Sequence, residues 1–163
     1  MQIKGRKFLS KKEKKQLQLK LSEIYGDTIK DLILKTDNLE EARTDEGLLL
    51  LKGNKIWFFS HDDQFIPSIY CLRDTHLKLP KIVVDVGAIR FITNGADVMA
   101  PGVVLFDEAI SKHDVVAIHE EKADTIIAVG FSLIDGHEFE KTKKGKVVKM
   151  LHYLKDNIWN FQL

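Results

Sequence analysis

Hydrophobic and polar residues follow two different periods along this chain, and the changes of period mark its elements. Leu17, Leu21 and Ile24 recur at i, i+4 and i+7, the spacing of one helix face. Ser10-Lys11-Lys12-Glu13 ahead of them has capping-box spacing and Gly26 follows them, so a helix is predicted from Ser10 to Gly26 with that stripe turned inward. Thr28 to Leu34 alternates only weakly, and the polar stretch from Lys35 to Glu46 predicts a loop with at most a short helix. Two apolar runs, Leu48 to Leu51 and Ile56 to Phe59, flank Lys52-Gly53-Asn54-Lys55 and read as a hairpin, with Trp57, Phe58 and Phe59 supplying core bulk. Phe65 to Leu72 reads as a further strand, with Pro67 near its start and Cys71 as a small buried hydrophobe.

The polar segment Arg73 to Pro80 separates two hydrophobic patterns and places a boundary between residues 1–76 and 77–163. Beyond it, the β-branched run Ile82 to Val86 predicts a buried strand that stops at Gly87. Ala88, Ile89, Phe91 and Ile92 form the inward side of a short helix that Asn94-Gly95 ends, Val98-Met99 opens the next extended piece, and Pro101-Gly102 turns the chain. Strands are then expected at Val103 to Phe106, Val115 to His119, Thr125 to Ile134, Val147 to Leu151 and Ile158 to Leu163. Gly130 should bend or bulge the third of these, Asp135 to Lys141 should make a single helical turn, and Lys143-Lys144-Gly145 a basic turn. The fold class is α+β: a small α+β domain first, then a small, closed, mostly β domain.

Charge adds an asymmetry that the net value of +1 hides. The first twenty residues carry Lys4, Arg6, Lys7, Lys11, Lys12, Lys14, Lys15 and Lys20 against Glu13 alone. Such segregation suits an anionic partner, although a solvated helix face is the commoner role of a lysine run. A single cysteine allows no internal disulfide, the first residues lack a signal-peptide core, and no apolar run approaches the ~18–20 residues that span a bilayer, so a cytoplasmic protein is expected. His61-Asp62-Asp63 groups three donor side chains on an extended segment where neighbours point alternate ways, so a polar turn is expected there, and no metal or other cofactor. No P-loop, HExxH, paired-cysteine zinc motif or GxSxG is present, and no catalytic residue is assigned.

The chemistry concentrates in Asp85 to Val103, DVGAIRFITNGADVMAPGV, where Gly87, Gly95 and Gly102 stand at successive changes of structure. Glycines there admit φ > 0 and let another backbone come close, which suits a phosphate or ribose. This stretch resembles the opening of a PUA domain, the RNA-binding fold named after pseudouridine synthases and archaeosine transglycosylases, with GA at the first strand-to-helix turn and the signature GADVMAPG. The resemblance runs from about Lys81 to Phe161. The string HYLKDNIW, His152 to Trp159, and the segment ahead of the PUA unit narrow it to the malignant T-cell amplified sequence family, whose eukaryotic members act in translation reinitiation and recycling of the small ribosomal subunit.

The resemblance implies a β pseudo-barrel of PUA type for the second domain and a surface that binds structured RNA, transfer or ribosomal. Gly87 and Ala88 would present backbone amides, with Gly95, Ala96, Val98 and Met99 lining the adjacent surface. Lys81, Arg90 and Lys155 would neutralise phosphates. Lys143, Lys144 and Lys146, together with Lys141 and Lys149, form one basic surface, and Lys11, Lys12, Lys14 and Lys15 another. Gly95→Glu should weaken RNA binding and leave the fold intact, and Trp159 is expected to pack inside the barrel. The implied partners are the small ribosomal subunit and a protein like the density-regulated protein. A specificity subunit of an RNA-modifying enzyme, or an adaptor that binds no RNA, are the alternatives.

Overall fold

The computed structural model describes residues 1–163 and divides them into two compact units, residues 1–77 with 160–163, and residues 78–159. The first unit is built on an antiparallel sheet of β1 (Ile3–Phe8), β2 (Leu39–Thr44), β3 (Leu48–Lys52), β4 (Lys55–His61) and β5 (Gln64–Pro67), in that order across the sheet. Helices α1 (Lys11–Tyr25) and α2 (Thr28–Lys35) pack on each other, and α3 (Ile69–Asp74) packs on β4. The predicted capping box is present: Ser10 Oγ accepts from the Glu13 amide, and the Glu13 carboxylate accepts from the Ser10 amide. Gly26 ends α1 at φ +76°. The inward stripe differs from the predicted one, because Gln18 is buried and bonded to Ser22 while Ile24 is 44% exposed. The hairpin of β3 and β4 lies where expected, and Trp57, Phe58 and Phe59 are buried.

Three segments correct the sequence reading. Thr28–Lys35 is a helix, since Ile29 and Ile33 fall one turn apart and both are fully buried. Leu39–Thr44 is a central strand in a stretch expected to be a loop, and its polarity is deceptive: the buried Glu40 carboxylate accepts from both Nε and Nη2 of Arg6 on β1. A buried carboxylate is tolerated only when paired in this way. In the run expected to be one strand, β5 ends at Pro67 and Ser68 Oγ, accepting from the Cys71 amide, starts α3. The strand β1 carries no apolar alternation, since five of its six residues face water, and no sequence signal predicts it.

The second unit is a six-stranded sheet wrapped into a nearly closed barrel. Its strands are β6 (Lys81–Val84), β7 (Val98–Met99), β8 (Val103–Phe106), β9 (Val115–Glu120), β10 (Ile126–Ser132) and β11 (Lys146–Tyr153), in the order β7-β11-β10-β9-β6-β8. The pair β6 and β9 is parallel, and such a pair needs a long crossover, which here carries α4 (Val86–Ile92). Ile82, Val84, Ile92, Val98, Val116, Ile118 and Val148 fill the barrel. Gly130 sits at a bulge between β10 and β11 as expected: a Cβ there would lie 2.5 Å from Lys149 O and from Val148 Cγ1. Gly136–Glu138 makes the single turn of 3-10 helix expected between Asp135 and Lys141.

No strand forms at Ile158 to Leu163, and Trp159 is half-buried in a turn outside the strands. The turn is held by Asp156, whose Oδ1 accepts from the Trp159 amide and Oδ2 from the Tyr153 amide, with His152 Nδ1 2.8 Å from Oδ2. Burial by itself would raise this carboxyl, but the contact with His152 and the two amides outweigh it and hold the group below its ordinary value of 3.8. The HYLKDNIW string is therefore the end of β11 and the turn after it, closed around one carboxylate.

Two outcomes are expected from these contacts. Gly130→Ala should cost about 1–3 kcal/mol through overpacking against β11, read as a lower urea midpoint at unchanged slope. A lowered carboxyl pKa stabilises the fold above its unfolded-state value of 3.8 and ceases to do so as the pH drops through the lower folded-state value. Asp156→Asn should thus be less stable than the parent by about 1–3 kcal/mol at pH 7, and the gap should close in acid. Urea titrations of both proteins from pH 7 down to about pH 2 measure it, and a gap that stays constant with pH refutes the role given to the carboxylate.

Candidate nucleic-acid interface

Helix α4 starts directly at the end of β6 because Asp85 caps it: Asp85 Oδ1 accepts from the Ala88 amide at 2.9 Å, and Glu121 Oε1 accepts from the Val86 amide at 3.1 Å. Gly87 is the second residue of the helix, exposed and with no positive φ, so it does not use the left-handed freedom of glycine, and a Cβ there would lie 3.3 Å from Asp85 Oδ1. The Ala88 amide is engaged within the cap, so Ala88 offers its methyl surface and no free donor. Gly102 comes close to that methyl: a Cβ on Gly102 would lie 3.2 Å from Ala88 Cβ.

At the other end of the helix, the Gly95 amide donates to Ile92 O and the chain leaves at φ +90°. A Cβ on Gly95 would sit 2.8 Å from the Tyr153 hydroxyl oxygen and 3.0 Å from Cε1 of its ring. Glycine is required here by backbone conformation and by a close neighbour together. Gly95→Glu would disturb the fold itself, contrary to the expectation from sequence. Asp97 Oδ1 accepts from the Met150 amide at 2.8 Å, and Asp97 Oδ2 lies 3.0 Å from Lys146 Nζ. Burial pushes the Asp97 carboxyl up, yet the Met150 amide and Lys146 prevail and lower it, so it stays ionised. Val98 pairs with Val148 and Met99 with Lys146, which completes the attachment of this segment to β11.

The result is a groove of about 760 Å³. Of the predicted contact residues, Gly87, Ala88, Gly95, Ala96 and Met99 line it, with Lys146 among them, whereas Val98 borders it from beneath and, at 1% exposure, belongs to the barrel core, contrary to the expectation of a contact. Its surface is mainly apolar. Phe91, expected to face inward, is 54% exposed and forms one wall, and Met99 is 46% exposed. Asp85, Asp97 and Phe91 are lining residues that sequence reasoning did not assign to the site; the Asp ahead of the helix and the Asp of GADVM were the available signals.

Arg90, Lys81 and Lys155 do not line the groove. Arg90 is exposed on α4 with its guanidinium 4.6 Å from the centre of the Phe91 ring, beside the wall. Lys81 is ion-paired with Asp124, which also contacts His119 Nδ1 at 2.9 Å. Lys155 is exposed in the turn after β11 at φ +75°. Lys143 borders a separate hollow with Phe106 and Phe139, and Lys144 is exposed in the basic turn. In the first unit, Lys11, Lys12 and Lys15 are exposed on α1, whereas half-buried Lys14 donates to the Thr36 carbonyl at the end of α2.

Comparison with known proteins gives the family of this chain. Residues 80–154 match the PUA domain, and residues 5–75 match a domain of unknown function (DUF1947). An uncharacterized protein of Methanocaldococcus jannaschii is 41% identical over 162 residues, covering 99% of both chains. Translation machinery-associated protein 20 of Schizosaccharomyces pombe is 30% identical over 96% of this chain and 92% of its own, and malignant T-cell-amplified sequence 1 of Rattus norvegicus is 29% identical over 82% and 76%. The solved structure of a conserved PUA domain protein from Thermoplasma acidophilum superposes with a TM-score of 0.79 at 33% identity, covering 94% of this chain and 97% of that one. The chain belongs to the family of PUA-domain proteins that includes the malignant T-cell-amplified sequence proteins and translation machinery-associated protein 20.

Proposed function

We propose that this protein is a non-catalytic RNA-binding component of translation, acting in the cytoplasm, whose groove beside α4 holds a stretch of transfer or ribosomal RNA. The observation that carries the reading is the gathering of Gly87, Ala88, Gly95, Ala96 and Met99 on one preformed surface. The apolar floor suits the faces of sugars and bases, and Phe91 offers a ring on which a base stacks. Arg90 and Lys146 stand near the rim, where phosphates of the same strand would pass. The name of the translation machinery-associated relative supports a role in translation, and the family resemblance makes initiation, reinitiation or ribosome recycling the step to test. In this reading the first unit docks to the small ribosomal subunit or to a partner like the density-regulated protein.

Affinity for transfer RNA, measured by fluorescence anisotropy across a salt series, tests the reading. Contact with about four to six phosphates should give a log K against log salt slope of about −3 to −5. Ala96→Glu places a charge on an exposed wall of the groove and should weaken binding about tenfold or more at an unchanged melting temperature. Absence of binding at low salt, or a flat slope, would leave a protein adaptor as the function. Recovery of an RNA-modifying enzyme instead of the small subunit on co-purification would favour the specificity-subunit alternative.

A further inference from the structure

The groove leaves the strongest charge feature of the chain unused. In the first unit, β1 is an edge strand, paired only with β2, and five of its six residues are exposed. Cross-strand partners share a face, so Gly5 opposite Arg43 and Lys7 opposite Glu41 turn the same way. With Lys4 and Arg6 they line a trough of about 240 Å³ in which Glu41 is the one acid. Gly5 leaves its floor open: a Cβ there would meet nothing within 4 Å. The Lys7–Glu13 ion pair joins this trough to the first turn of α1, where Lys11, Lys12 and Lys15 are exposed.

Structure separates the cations that are already satisfied from those that are not. Arg6 pairs with Glu40, Lys7 with Glu13, Lys14 with the Thr36 carbonyl and Lys20 with the Asp63 carbonyl. Lys4, Lys11, Lys12, Lys15 and Arg43 form no ion pair or side-chain hydrogen bond. In sequence, Phe8 ends β1 and leads toward α1, and it is 62% exposed. A ring in water on the segment that joins two sets of unpaired cations can stack a base while those charges hold its backbone.

We propose that the β1 edge and the start of α1 form a second RNA-contact surface, in which Lys4, Lys11, Lys12, Lys15 and Arg43 hold phosphates and Phe8 stacks on an unpaired base. This inference rests on the RNA-binding reading of the groove in taking RNA as the polyanion. The surface supplies affinity and position with no reading of sequence, because each cation meets a phosphate.

The test uses the full chain, transfer RNA as the probe, and the same salt series. Replacing Lys4, Lys11, Lys12, Lys15 and Arg43 with glutamine should make the salt slope shallower by about 2 to 4 and weaken binding about tenfold or more near 0.1 M salt. Replacing the four lysines with arginine keeps the charge and should preserve both slope and affinity, which separates charge from any effect on folding. Phe8→Ala should weaken binding about fivefold or more without changing the slope. If the glutamine variant melts as the parent does and binds with the parent's slope, the proposal is overturned and these lysines serve only to keep an edge strand soluble. If the glutamine variant loses affinity while Ala96→Glu does not, this surface stands and the groove reading fails; the opposite pattern keeps the groove and removes this surface.

Discussion

The candidate site depends on the fastening of residues 93–99 to β11. Four contacts do this: the positive-φ turn at Gly95 under the Tyr153 ring, the Asp97 carboxylate on the Met150 amide, the Asp97–Lys146 ion pair, and the short β7 ladder. Each is modest alone, but together they fix where α4 ends and therefore where the exposed Phe91 and Met99 line the groove. The Asp85 cap does the same at the other end of the helix. A groove built this way exists before any ligand arrives, so binding carries a small ordering cost.

The three glycines of this stretch have three distinct roles that spacing could not tell apart. Gly95 is conformational, Gly102 keeps room for the Ala88 methyl, and Gly87 is an exposed helix residue with an ordinary backbone that leaves room for the capping Asp85 carboxylate. The useful distinction for function is therefore between residues that hold the groove in shape and residues that only face it. Gly95, Asp97 and Tyr153 belong to the first kind, Gly87, Ala96 and Met99 to the second. Asp156 plays a similar holding part in the terminal turn, which gives a physical reason for the HYLKDNIW pattern.

Polarity was the least reliable guide to the first unit. LEEART looks like a loop because its buried acid is neutralised by an arginine more than thirty positions away in sequence, a partnership that no local window contains. Ile24 fits the helical stripe of α1 and yet is 44% exposed, whereas the polar Gln18 is buried and bonds to Ser22 one turn on. The lysines divide in a comparable way: Lys14 is absorbed by a helix end, whereas Lys11, Lys12 and Lys15 remain in water.

Local signals alone determined the capped helix at Ser10, the hairpin at Gly53, the strand, helix and turn succession from Ile82 to Gly102, the bulge at Gly130, and the PUA resemblance. All of these rest on neighbours a few positions apart, through hydrogen bonds and periodicities that short windows contain. Tertiary structure decided which apolar residues face water, which glycine is obligatory, which lysines stay unpaired, and that Lys81 and Lys155 lie off the groove. Those outcomes come from contacts between residues distant in sequence: Tyr153 over Gly95, Arg6 on Glu40 and Asp124 on Lys81. Only packing brings such groups together, so no period or motif in the chain could announce them.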